Sequence, residues 1–303
     1  MMRVLEQPAE IVETGERMPL PRRHRRGRRG LSVQFVLLGV CSFALLVLLL
    51  LPLYAIFWKS LPHGVLFSAF RLAIVRDALR LSLVTTAIAL GITLVLGTPI
   101  AYLLARYRFP GYGLLDSIID LPMVLPPSVA GLGLLIAFGR RGLVGGPLEA
   151  LGITLPFTTA SVVMAQCFVA APFYIKAAKA GFAGVDRELE MVAATFGSSP
   201  WYTFTRITLP LAFPSLLGGM VMMWSRALGE FGATIFFAGN YQGVTQTIPL
   251  AIFQEEQASH FDTALAMSAV LVCVSFAILV TVKWLTARLL INDEDTLRPI
   301  ARR

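Results

Sequence analysis

Six stretches of this chain carry about twenty or more mostly apolar residues in a row. They run from about Val33 to Trp58, Ala78 to Ala105, Leu115 to Phe138, Thr158 to Phe182, Leu211 to Ala238 and Thr263 to Leu289. A bilayer core takes about 20 apolar residues of helix, so the pattern predicts an all-α integral membrane protein with about six transmembrane helices. Long continuous apolar runs exclude a lipid-spanning barrel, whose strands alternate apolar and polar over about 10 residues. The first run is too long for the apolar core of a signal peptide, and no small-residue cleavage site follows it. Tyr54, Phe57 and Trp58 instead make an aromatic belt at its far end, so it is expected to be a retained helix.

Composition agrees with this reading. Hydrophobic residues make up 56% of the 303 residues and charged residues 15%, against about 45–50% and about 25% in soluble domains. Disordered, collagen-like and disulfide-scaffold classes are excluded. Cys41, Cys167 and Cys273 each lie in an apolar stretch without a CxxC pair, and read as small buried hydrophobes. His24, His63 and His260 form no metal-ligand spacing.

The net charge is +8. Lys and Arg cluster beside the apolar runs, which makes topology the explanation rather than nucleic acid. With the N-terminus inside, the cytoplasmic segments carry 19 basic residues and the external ones 6. Both termini are therefore expected in the cytoplasm of a multi-pass protein of the cell (inner) membrane. Residues 1–30 form a basic cytoplasmic tail containing Arg22, Arg23, Arg25, Arg26, Arg28 and Arg29, with no interleaved aromatic residue, suited to anionic lipid. Residues 31–290 form the transmembrane domain and 291–303 a second cytoplasmic tail.

The segment Gly184–Pro210, between the fourth and fifth runs, predicts two short helices at a sharp angle. Asp186 caps the first, with Glu188 and Glu190 near its positive end. Leu189, Val192, Ala193 and Phe196 give it an apolar face. Gly197 supplies a left-handed stop, and Ser199-Pro200 restarts a helix whose buried side is expected to hold Trp201, Phe204 and Thr205. A helix pair outside the membrane is a docking surface.

Two further stretches carry unusual residues at membrane depth. Pro122, Pro126 and Pro127 remove backbone donors and break the third run, which is expected to line a pore or the protein core. Arg226 and Glu230 are the main charges deep in a span, four residues apart and expected on one helix face. Exposing either to lipid would cost about 2.5–3.5 kcal/mol, so both should face the bundle interior or a dimer axis. They read either as a structural ion pair or as part of a gate.

The spacing from Gly197 to Ile207-Thr208-Leu209-Pro210 resembles the coupling loop of permease subunits of bacterial ABC importers. The family's Glu-Ala-Ala positions here read Met191-Val192-Ala193, with Glu190 one place upstream. The runs Asp120–Gly133, Phe138–Gly142, Arg226–Ile235 and Thr247–Leu250 resemble the molybdate and tungstate permeases, and less closely the sulfate permeases, which share the Ala238-Gly239-Asn240 type of sequence.

The resemblance implies a type I ABC importer permease fold and transport of molybdate or tungstate, with a sulfate/thiosulfate permease as the alternative. It implies an ABC ATPase subunit, an extracytoplasmic oxyanion-binding protein and a second copy of the permease as partners. It places Glu190, Met191, Val192, Ala193, Gly197, Ile207, Leu209 and Pro210 at the ATPase, through coupling helices at about 185–206. It places Arg226, Glu230, Phe231, Gly232, Pro126 and Ser128 along the pathway or gate. The chain has no GxxxxGK[ST], so the energy source must be a separate chain, and no enzymatic activity and no cofactor are expected. An ion-driven secondary transporter would need inverted repeats and midplane carboxylates; no repeat and no second buried acid are legible. A membrane enzyme would need a His/Asp/Glu constellation, which is missing.

Overall fold

A computed structural model describes residues 28–60 and 70–297, with side chains for 35–60 and 70–284. Most of the basic tail and the last six residues therefore lie outside the described residues. Every described element is helical. Among the described residues five helices are long and apolar enough to cross a membrane, or six if a sharply bent helix pair counts as one span. Helix α1, Arg28–Ser60, carries exposed side chains from Phe35 to Leu53, as lipid-facing residues should. Tyr54 and Trp58 stack with ring centroids 5.7 Å apart, in the expected aromatic belt.

The body of the protein is built on α2, Ala73–Arg106, α6, Thr159–Gly184, and α9, Leu209–Leu228. Their shared core holds Ala89, Ala101, Tyr174, Ala178, Phe182, Leu216, Met223 and Ala227. Lipid tails give helices no hydrophobic reason to associate, so small residues that admit close approach carry the packing. On the α6–α9 seam, a Cβ added to Gly181 would lie 2.6 Å from Ser215 Cβ. One added to Gly219 would lie 2.8 Å from Ala177 Cβ.

The third run is two helices, α3, Tyr112–Val124, and α4, Pro127–Phe138, bent by 116° at Leu125-Pro126. Pro126 lies in the break and Pro127 opens α4, while Pro122 stays inside α3. Of the run expected to line a pore or the protein core, α4 is built into the core through Ala130, Gly131 and Leu134, while α3 has no buried residue. A short helix α5, Gly145–Ala150, follows on the loop to α6.

The fifth run departs from expectation. Its helix stops at Leu228, and a separate α10, Gly232–Phe237, follows the break at Gly229–Phe231. The loop after it contains α11, Ile248–Gln257, with Ile248 and Ala251 buried against α2 and the last helix α12, Phe261–Leu297. The cysteines also differ from the reading as buried residues: Cys41 and Cys273 are exposed and Cys167 is half-buried, all three free. An apolar neighbourhood in a membrane sequence signals absence of water, and lipid satisfies that as well as protein does.

Candidate coupling surface and translocation pathway

The segment after α6 forms α7, Arg187–Thr195, and α8, Pro200–Thr203. The Asp186 carboxylate accepts the Glu188 N–H at 2.9 Å, and Ser199 Oγ accepts that of Tyr202 at 3.2 Å. Gly197 is left-handed, with φ +81. The Gly197 N–H donates to the Ala194 carbonyl at 2.9 Å and the Ser198 N–H to the Ala193 carbonyl at 3.1 Å, which completes a Schellman stop. Helix α8 does not end at its own C-terminus. It passes through a π-helical turn, Phe204–Thr208, directly into α9.

The expected buried side of α8 is only partly buried. Trp201 is exposed, while Phe204 is only half-buried, wedged against Tyr102 at 5.1 Å and Phe182 at 6.1 Å. Thr203 and Thr208 are the buried residues. Trp201 still stacks on Phe204, ring centroids 6.0 Å apart, and Thr205 is half-buried, so the expected face exists but is buried only at its inner end.

On α7 only Ala193 is buried. Leu189, Met191 and Val192 are exposed, and Phe196 beyond its end is 86% exposed. With Trp201 and Tyr202 they make the α7–α8 segment rich in exposed apolar side chains. Glu190 points the other way, to Arg106 at 2.6 Å and Thr208 at 2.5 Å. Ile207 and Leu209 are half-buried in the return to α9, and Pro210 is exposed.

The predicted pathway residues meet at two chain breaks. A Cβ on Gly232 would stand 2.6 Å from Pro127 Cβ, and one on Gly131 would stand 2.5 Å from the Ala233 carbonyl oxygen. The α3–α4 break, with exposed Pro126 and Ser128, therefore lies against the α9–α10 break. Irregular backbone at membrane depth is tolerated where protein or a water-filled cavity covers it.

Glu230 is 1% exposed and sits past the end of α9, not on its face as expected. Its Oε1 accepts the Ala233 N–H at 2.7 Å, capping α10, and its Oε2 lies 2.6 Å from Arg226 Nη1. The Arg226 side chain is 30% exposed, so the cation reaches open space while the acid is sealed. Phe231 packs on Phe253, ring centroids 5.1 Å apart.

Sequence reasoning missed a second charged set within the predicted spans. Lys176 Nζ meets Asp120 at 2.6 Å and Lys179 Nζ meets Asp116 at 2.7 Å, tying α6 to α3. The signal was available, because Asp116 and Asp120 are four apart and Lys176 and Lys179 three apart, one helix face each. It also missed Gln166, buried on α6, whose Nε2 donates to Thr86 Oγ1 and to the Ala227 carbonyl, both at 3.2 Å.

Long apolar helices, a bent helix pair and two chain breaks packed around a buried charge are the features of a multi-span membrane protein. Residues 97–290 match the family described as binding-protein-dependent transport system inner membrane component, and the chain belongs to that family. It is 44% identical over 200 residues to the molybdenum transport system permease protein ModB of Mycobacterium tuberculosis, covering 66% of this chain and 75% of the relative. It is 34% identical over 245 residues to the probable sulfate transport system permease protein cysT of Nephroselmis olivacea, covering 80% and 86%. A bacterial alginate ABC transporter in complex with its alginate pentasaccharide-bound periplasmic protein shares the fold, with a TM-score of 0.68 at 18% identity over 86% of this chain and 96% of that one. The fold is thus that of the ABC importer permeases, and the chain is a transport component rather than an enzyme.

Proposed function

We propose that this chain is the permease of an ATP-driven importer that carries molybdate or tungstate inward across the cell membrane. The observation that carries the importer reading is the α7–α8 pair, on which Met191, Val192, Phe196 and Trp201 are exposed. An apolar patch of that kind, on a Schellman turn next to the membrane, suits the cleft of an ABC ATPase. The 44% identity to a molybdenum permease supports the choice of anion.

The Ala238-Gly239-Asn240 sequence, which leaned toward sulfate, has a structural explanation. Gly239 is left-handed with φ +72, and Asn240 Nδ2 donates to the Leu250 carbonyl at 3.3 Å and to Gln254 at 2.9 Å. It fastens the end of α10 to α11 and says nothing of the anion.

Arg226, with Glu230, Phe231 and Gly232 on one break and Pro126 and Ser128 on the other, lines the pathway or its gate. The half-open guanidinium suits brief contact with an oxyanion, and the sealed Glu230 keeps that contact weak. An extracytoplasmic binding protein supplies selectivity, a second copy of the permease completes the pathway, and both termini face the cytoplasm. Co-purified permease, ATPase and binding protein in proteoliposomes should take up molybdate and tungstate with ATP, and sulfate at least tenfold more slowly. Faster sulfate uptake would reassign the anion; no ATP-dependent uptake of any of the three would refute the importer reading.

A further inference from the structure

Helix α7 hangs between two backbone joints. Before it, Val185 and Asp186 are extended, with ψ of 126 and 127. After it comes the left-handed Gly197. A nine-residue helix between two such joints can tilt by itself when pushed. Displacement applied at its outer face would then be absorbed at the joints before reaching the membrane.

One carboxylate bridges both joints. Glu190 Oε1 takes the 2.6 Å contact from Arg106 Nη2 at the end of α2 and the 2.5 Å hydrogen bond from Thr208 Oγ1 in the π turn. These partners lie 84 and 18 residues away along the chain. Arg106 Nη1 also donates to the Val185 carbonyl at 3.1 Å, and Arg187 Nη2 donates to the Arg106 carbonyl at 2.7 Å. The set is sheltered: the Arg106 and Glu190 side chains are 6% and 19% exposed, and Thr208 is fully buried. Exposed ion pairs contribute little because water competes for them, and that objection is weak here. The π turn is what carries the Thr208 hydroxyl, and π turns inside helices recur at functional positions.

We infer that Glu190 is a positioning residue that braces α7 against the end of α2 and the foot of α9. Displacement of the coupling helices then reaches two spans together instead of being lost at Gly197. The inference rests on the proposed docking of an ATPase at α7–α8. It gives the acid next to the Glu-Ala-Ala positions an internal role in place of a contact to the partner.

The test uses Glu190→Gln, Thr208→Val, Glu190→Arg and the reversed pair Arg106→Glu with Glu190→Arg, in the full complex with ATPase and binding protein. Coupling between sites spans about 5- to 150-fold. Glu190→Gln should therefore keep the ATPase bound on purification while anion moved per ATP falls about fivefold or more. Thr208→Val should show the same defect to a smaller degree, and the reversed pair should regain most of what Glu190→Arg loses. Unchanged anion per ATP in Glu190→Gln overturns the brace. Loss of the ATPase that the reversed pair does not restore also overturns it, and makes Glu190 a direct partner contact.

A second measurement needs no partner. Spin labels at exposed Leu103 and Thr195, with the three native cysteines replaced, report the α2–α7 distance in the permease alone. Glu190→Gln should broaden that distribution, and an unchanged width overturns the brace even if the importer reading itself fails.

Discussion

The buried charge at the α9–α10 break sets up an asymmetric pair of substitutions. Arg226→Met removes the cation and leaves Glu230, 1% exposed, with a single hydrogen bond from Ala233. Breaking a buried pair from one side costs about 3–5 kcal/mol, because the remaining charge stays uncompensated. Glu230→Gln acts on the other side. Glutamine keeps the acceptor for the Ala233 N–H, and the freed Arg226, 30% exposed, rehydrates. Its cost should be about 1.5 kcal/mol, the lower end for a hydrogen bond to a charged group. Joining both changes removes the uncompensated charge, so the double variant should regain about 2 kcal/mol over Arg226→Met, within the range of coupling between contacting residues. The assay is the half-life of the monodisperse permease in detergent at one fixed elevated temperature, since membrane proteins unfold irreversibly. The order expected is Glu230→Gln most stable, the double variant close behind, and Arg226→Met least. Equal losses from the two single changes, simply additive in the double, would refute the argument that burial of the acid dominates. In transport, Glu230→Gln should leave hydrolysis no longer stimulated by loaded binding protein.

Gly197→Pro should insert normally yet abolish uptake and weaken ATPase retention, because proline cannot adopt φ +81 and loses the N–H given to Ala194; normal uptake would remove the coupling assignment. Gly131→Ala should destabilise by about 1–3 kcal/mol through its clash with the Ala233 carbonyl. Gly133→Ala, with open space around its Cβ, should be neutral in the same thermal assay, and equal effects would show that α4 does not pack on α10 in this register. Reporters fused after Arg141 and Gln257 should read as external, and those after Arg106 and Ala194 as cytoplasmic; a cytoplasmic signal after Arg141 would overturn the six-crossing topology.

What could be read from the sequence follows from what lipid demands. A run of apolar residues at membrane depth must satisfy its backbone internally, so the spans are legible as helices without any tertiary knowledge. The caps at Asp186, Gly197 and Ser199 are equally legible, because each is a local bond between a side chain or a left-handed glycine and the adjacent turn. The end of α9 at Leu228 was not, because the apolar run continues through α10 and hides a stop that depends on Glu230 capping the next helix. Exposure of Trp201 was not, because it stacks on Phe204 at the edge of the fold, and where that edge falls depends on tertiary packing. The spacings of Asp116 with Asp120 and of Lys176 with Lys179 marked two charged helix faces, but that the two faces meet needed the α3–α6 contact.

The glycine-lined seam between α6 and α9 has a consequence for cold. If those faces parted within the bilayer they would meet acyl chains, so little water is released when they close. Interfaces driven by release of water lose strength on cooling and carry a large heat-capacity change. A seam closed by contact between Gly181 and Ser215, and between Gly219 and Ala177, carries almost none. Near freezing the membrane core should therefore stay as firmly closed as in warmth. The low-temperature limit of the machine then falls on apolar surface that closes by releasing water, such as the proposed docking residues Met191, Phe196 and Trp201.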